Sequence, residues 1–356
     1  MTQMLKSKKK NMSQIVFAGV ISCSLLVLTA CSGQITSSAH YRSLHPVAAT
    51  VETDPVHSRS DAADDPAIWI NPDDPGGSLI VATDKQSGLL VYGLDGSERQ
   101  YLPVGKTNNV DLRTGSWGVD DQTLVAASSR FPSELLLLTL DHDSGELQLR
   151  KRHKVRLRQP YGICLYQDVD QQPYVFLNST EGTVVQYAVD REYDIDEVRR
   201  FRLESQPEGC VADDDEGIVY IGEEARGIWR MSARPEDPLK RELLDRVGGG
   251  HLFADVEGLA LYDGPRKLLI ASSQGNNSFA IYDTAASKHL VSFRIAGEGR
   301  VDRVSDTDGI EVTPVSLPGY PDGILVVQDG YNTFPDANQN FKIVSWSEVL
   351  RMFDLY

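Results

Sequence analysis

Histidine and cysteine are scarce in this chain, with seven His and four Cys in 356 residues. The histidines (His40, His45, His57, His142, His153, His251 and His289) are scattered, so they do not form the cluster that zinc or copper needs. There is no H-E-x-x-H and no G-x-S-x-G, which removes the zincin peptidases and the nucleophile-elbow hydrolases. Gly105-Lys106-Thr107 matches only the end of a P-loop. Gln100 stands where the first glycine should be, and no helical pattern follows. Asp306 to Glu311 is acid-rich but lacks EF-hand spacing. Positive charge is also short: 35 Lys and Arg stand against 51 Asp and Glu, a formal net charge of −16. Nucleic-acid affinity comes mainly from bases that neutralise phosphates, so no nucleic-acid partner is expected. An acid excess attracts cations instead, and clustered carboxylates suit Ca²⁺.

Long hydrophobic runs are confined to the N-terminus. Lys6, Lys8, Lys9 and Lys10 precede an apolar stretch from Ile15 to Leu28, and Leu28-Thr29-Ala30-Cys31 follows. The stretch is too short to cross a bilayer and ends in small residues, as a signal peptide does. The Leu-Thr-Ala-Cys ending resembles the bacterial lipoprotein box, which makes Cys31 the lipidated first residue of the mature chain. The expected organisation is a signal peptide over 1–30, a lipidated Ser/Ala/Thr-rich tether over 31–50 and one domain over 51–356. Residue 32 is Ser rather than Asp, which favours the outer membrane in a Gram-negative cell. The domain would face the periplasm or the cell exterior, held to the membrane by its lipid alone. Only Cys164 and Cys210 then remain in the domain. They stand out of register in the repeat described next, so two buried free thiols are expected.

Helical periodicity is nearly absent after Val51. Short apolar runs alternate with Gly, Asp and Pro clusters, the pattern of an all-β sandwich, barrel or propeller. A unit of roughly fifty residues recurs six times, which selects the propeller. Its anchors are Asp65, Asp111, Tyr161, Glu208, Glu257 and Asp308. The last unit lacks a fourth strand, and Ala48 to Val56 is placed to supply it. The predicted fold is a six-bladed β-propeller whose ring is closed by an N-terminal strand, leaving no open edge.

In a blade the first strand lines the channel and the second runs antiparallel to it. The starts of first strands and the ends of second strands therefore share one face. The ends are Asp84-Lys85, Arg130, Thr180-Glu181, Glu223-Glu224, Gln274 and Asp329. Turns favour Asp, but not Glu208 and Glu257, and turn chemistry does not call for Lys85 and Arg130. Crowded carboxylates repel one another unless a cation neutralises them. Oxygen ligands with no His or Cys point to Ca²⁺, and Ca²⁺ with Lys85 and Arg130 makes an anion-binding face.

These residues lie in segments that resemble the β-propeller phytases. The segments are Asp61 to Trp69, Thr83 to Leu89, Asn108 to Arg113, Glu208 to Asp214 with Tyr220 to Glu224 and Gly227 to Trp229, Asp255 to Leu259, Ala271 to Asn276, Ser305 to Ile310, and Val327 to Gly330. They follow in order over roughly residues 50–350. The resemblance implies a 3-phytase-like phosphoric monoester hydrolase with several Ca²⁺ ions. Its substrate would be phytate (myo-inositol hexakisphosphate), taken as a calcium complex, with direct attack by a Ca-bound water releasing inorganic phosphate. It implies Asp65, Asn109, Asp111, Glu208, Glu224, Asp255, Glu257, Asp302 and Asp308 as calcium ligands or their supports. Lys85, Arg130 and Tyr161 would contact phosphate, and Glu181 would help a calcium and a water. A monomer is expected. One position departs: the family commonly carries Lys before the Glu of the third unit, and here it is Thr180. Two rivals are a lactonase-like calcium propeller hydrolase and a non-catalytic surface propeller that binds phosphate esters or proteins.

Overall fold

The protein is described here from a computed structural model covering residues 44–117 and 122–353. The expected signal peptide, the expected lipidation site Cys31 and most of the expected tether lie outside the described residues. Strand β1 (His45–Glu52) comes first. Four antiparallel four-stranded sheets follow in chain order. The first holds β2 (Ala63–Trp69), β3 (Leu79–Asp84), β4 (Gly88–Gly93) and β5 (Glu98–Leu102). The second holds β6 (Lys106–Trp117), β7 (Gln122–Phe131), β8 (Glu134–Leu140) and β9 (Leu147–Lys154). The third holds β10 (Pro160–Gln167), β11 (Pro173–Ser179), β12 (Thr183–Val189) and β13 (Ile195–Arg202). The fourth holds β14 (Pro207–Asp213), β15 (Ile218–Glu223), β16 (Gly227–Ser232) and β17 (Glu242–Arg246).

The remaining strands form one eight-stranded sheet with β1 in its middle. They are β18 (Val256–Asp263), β19 (Lys267–Ser273), β20 (Ser278–Asp283), β21 (Lys288–Ala296), β22 (Ile310–Thr313), β23 (Ile324–Asp329) and β24 (Asn340–Ser345). Strand β1 runs parallel to β21 and antiparallel to β24. It begins at His45, so residues 45–50 belong to the domain and not to the tether expected over 31–50. The alternation of buried Val47 and Ala49 with the exposed Pro46 and Thr50 and the part-buried Ala48 fits a strand laid between two edges.

The arrangement is propeller-like. First strands β2, β6, β10, β14, β18 and β22 touch in sequence, and β22 returns to β2. Apolar clusters fill the spaces between neighbouring sheets, as between the first and second, where Trp69, Val81 and Val91 meet Val125, Leu136 and Leu138. The eight-stranded sheet folds back so that its two halves also face each other, Ile270 and Phe279 opposite Leu325 and Val344. Trp346, opening the short helix α1 (Trp346–Leu350), stacks on Tyr262 in that gap at 4.8 Å. This layering explains the sequence texture. Strand β8 is buried on both faces and reads Glu-Leu-Leu-Leu-Leu-Thr-Leu, whereas outer strand β9 is Leu-Gln-Leu-Arg-Lys-Arg-His-Lys.

Cys164 and Cys210 form a disulfide, not two free thiols. They sit on neighbouring first strands, β10 and β14, which pack one residue out of step. Gly162 abuts the Glu208 carbonyl so closely that a methyl there would lie 1.8 Å from the oxygen. Two residues further along each strand are Cys164 and Cys210. Equating Tyr161 with Glu208 hid this pairing by one residue.

Candidate active site at the channel mouth

The first strands β2, β6, β10, β14 and β18 each break register near their start. The pairing slips between Ala63 and Pro66, Thr107 and Val110, Pro160 and Ile163, Pro207 and Cys210, and Val256 and Leu259. Each slip is a β-bulge, which bends the strand and re-aims a side chain. Side chains from the second strands capture amides freed by these slips. Thr83 Oγ1 accepts from Asp65 N (2.9 Å), Ser128 Oγ from Asn109 N (3.0 Å) and Asn178 Oδ1 from Gly162 N (2.7 Å).

Aligning the strands by this pairing puts Asp64, Asn108, Tyr161, Glu208, Glu257 and Asp308 at equivalent places. The sequence repeat had Asp65 and Asp111 for the first two. Asp65 lies one residue further on, and its Oδ2 accepts from Val110 N at 3.1 Å. Asp111 lies three residues beyond Asn108, about 10 Å along the strand. Its Oδ2 accepts from Leu165 N at 2.7 Å and pairs with Arg113, whose Nε holds Asp214 at 2.8 Å. Both acids therefore brace adjoining first strands.

At the mouth, Lys85 reaches in from the end of β3. Only 4% of Lys85 is exposed. Its Nζ lies 2.7 Å from Asp61, 3.0 Å from Asp64 and 2.7 Å from Asp308. Burial works against its charge, but Asp64 and Asp308 more than offset this and raise its pKa. Asn108 Nδ2 donates to Asp64 (3.3 Å), Asn109 Oδ1 (2.8 Å) and Glu208 (3.2 Å). Gln274 Nε2 donates to Asp308 Oδ1 at 2.7 Å. Asp64, Asn108 and Gln274 were absent from the sequence-derived set. The bulge displaced the first two, and Gln274 was visible only as a strand end.

Glu208, Glu224 and Glu257 each bring an oxygen within 4.8 Å of the others. Burial, then repulsion from Glu257, pushes Glu208 well above the carboxylate range; burial, then repulsion from Glu224 and Asp308, does the same to Glu257, and burial raises Glu224 to about 7. Asp308, also buried, is raised to about 7. Glu257 Oε2 and Asp64 Oδ1 are buried with no hydrogen-bond partner among the described residues. Half-buried Asp255 adds its charge near Glu224 and accepts from Gln274 N through its carbonyl. Arg130 lies over the Tyr161 ring at 5.7 Å, and its Nε has no hydrogen-bond partner among the described residues. The Tyr161 hydroxyl is pushed up, chiefly by Glu208 and then by burial, and stays protonated.

Glu181 is half-exposed and pairs with Arg158 at 2.8 Å. Arg158 was not visible as a neighbour in the sequence. Asp302 does not join the group, because Lys342 and Thr333 hold its carboxylate. Asp84, Glu223 and Asp329 turn away as well. Asp84 accepts from Ser58 N, Glu223 from Trp229 Nε1 and Asp329 from Ser305 N.

The family model described as Phytase matches residues 14–355. The chain belongs to the phytase family. A 3-phytase of Bacillus subtilis (strain 168) is 40% identical over 346 residues, which is 91% of this chain and 90% of that protein. Among solved structures, a functionally unknown protein from Desulfotomaculum acetoxidans DSM 771 aligns with a TM-score of 0.47 at 13% identity. That alignment covers 65% of this chain and 71% of the other.

Proposed function

We propose that this phytase-family chain hydrolyses phosphate monoesters of phytate at the channel mouth in a Ca²⁺-dependent reaction. The observation that carries this is the convergence of Lys85, Arg130 and Tyr161 on a ring of buried carboxylates. The donor set fits the metal. Glu208, Glu224 and Glu257 offer hard oxygens at short range, and Glu257 Oε2 lacks a partner among the described residues. When bound there, Ca²⁺ supplies the positive charge that lets these carboxylates ionise together and draws electron density from a phosphoryl oxygen.

The chain's own groups do the rest. Lys85 and Arg130 bind phosphoryl oxygens and stabilise the charge that spreads over them as the ester breaks. Tyr161 donates a hydrogen bond from its protonated hydroxyl and supports the Arg130 guanidinium from below. Glu181, fixed by Arg158, takes a proton from the attacking water. Water adds to phosphorus and the bond to the inositol oxygen breaks; that oxygen takes a proton from solvent as Glu181 returns its own, so that phosphate and an alcohol leave. With the family assigned, a lactonase-like activity has no remaining support.

The ring is read as six blades, with the eight-stranded sheet counted as two that share β1. The contact of β22 with β2 and the apolar cluster between the halves support that count. The chain is exported and anchored through Cys31. The disulfide between Cys164 and Cys210 supports an oxidising compartment.

Phosphate release from phytate by the purified protein, with calcium or with a chelator, tests the function. Release that needs calcium and vanishes in Glu208→Gln supports it. A folded wild-type protein that releases nothing in calcium refutes it.

A further inference from the structure

Asp302 is among the residues that the family resemblance assigns to calcium, yet its carboxylate faces a lysine. Lys342 lies within β24 and is 0% exposed. Lysine is rarely buried unless paired. Its Nζ is 3.0 Å from Glu52 Oε2 and 3.1 Å from Asp329 Oδ2, and it also donates to Asp302 Oδ1. Asn340 Oδ1 lies 3.4 Å away. The second oxygens of both aspartates are engaged too. Asp302 Oδ2 accepts from Thr333 N and Oγ1, both at 2.6 Å, and Asp329 Oδ1 accepts from Ser305 N at 3.0 Å.

An ammonium has three N–H donors, and three carboxylates meet it here. Burial works against the charge, but Asp329, Asp302 and Glu52 raise the lysine's pKa. Three carboxylates and an amide oxygen from β1, β24, the end of β23 and the loop before β22 are a donor set for a hard divalent cation. Nitrogen already occupies their meeting point. Calcium needs oxygens at about 2.3–2.6 Å, and a second cation in the same cage would be repelled by the first. The cage therefore does not fit a metal while Lys342 fills it.

We propose that Lys342 is a built-in cation standing in the place of a metal ion, so that the joint between β1 and β24 holds without calcium. This concerns how the ring is closed and stands whatever the mouth hydrolyses.

The test is amide hydrogen exchange of β1 and β24 in the full chain, with calcium chloride or with a chelator, for wild type and Lys342→Glu. The readout is the ratio of exchange rates in chelator and in calcium. The expected ratio is roughly tenfold larger in Lys342→Glu than in wild type. Calorimetric titration should count one more calcium in the variant. Lys342→Gln, which adds no charge, should also show the larger ratio. Equal ratios in variant and wild type, or an unchanged ion count, would overturn the proposal. So would failure of both variants to fold in calcium, since calcium would then not replace the ammonium.

Discussion

At Lys85, one ammonium is shared among Asp61, Asp64 and Asp308. Lys85→Met keeps the volume and removes the charge. The expected loss in kcat/KM for phytate is about 100-fold or more, measured as phosphate release at neutral pH. Arg158 acts at longer reach. Arg158→Gln should raise KM by about two- to fivefold at low salt, with the difference fading at high salt. If Arg158 already serves in place of the missing lysine, Thr180→Lys should then restore much of what Arg158→Gln loses. Lys85, Arg130, Glu208 and Glu257 were legible because their strand ends carry residue types that turns do not need, and Asp308 because it anchors the sixth repeat. Asp64 and Asn108 were not legible, because a bulge shifts side-chain direction without leaving a mark in composition. Arg158 and Lys342 were not legible because their partners are distant in sequence.

Along the first strands, the bulge sets the geometry of the site. Gly209 shows how little room it leaves, since a methyl there would sit 2.2 Å from the Glu257 carbonyl oxygen. Gly209→Ala must push β14 away from β18 and part Glu208 from Glu257. The expected cost is about 1–3 kcal/mol, read by denaturant unfolding, with weaker calcium binding in the same protein. A variant with unchanged stability and calcium affinity would show that the strands can separate freely. The repeat predicted the strand order well, because doubly buried strands read as apolar runs and outer strands as charged ones. It misplaced β10 against β14 by one residue, because neighbouring first strands are staggered and a linear alignment carries no stagger.

Over the whole molecule, acid excess is managed by cations at separate levels: Lys85 at the mouth, Arg113 beside Asp111, and Lys342 at the closure. Among the described residues the Glu208–Glu224–Glu257 group makes no ion pair with a Lys or Arg, so its behaviour should follow pH. Glu224 ionises near 4.5 when unfolded and near 7 when folded and metal-free. Asp308 is shifted in the same direction, to about 7. The folded state therefore holds protons more tightly. Their contribution is full at acid pH and is lost as pH rises through about 7. Scanning calorimetry with chelator should show the melting temperature falling over that window. Calcium should raise it strongly above pH 7 and little near pH 5. A calcium effect that does not change with pH would place the ion elsewhere. The Cys164–Cys210 bond adds a second global restraint. Replacing both with Ala should cost about 2–4 kcal/mol, and a reductant should lower the melting temperature of the wild type alone.

Strand β1 also imposes an order in time. It is among the first parts of the domain to be synthesised, yet its neighbours β21 and β24 are among the last. Until the ribosome has delivered both, the strand has no hydrogen-bonding edge to join. A chain that stops before β24 is thus left with an open seam rather than a smaller propeller. The clasp can only be fastened after the last strand arrives.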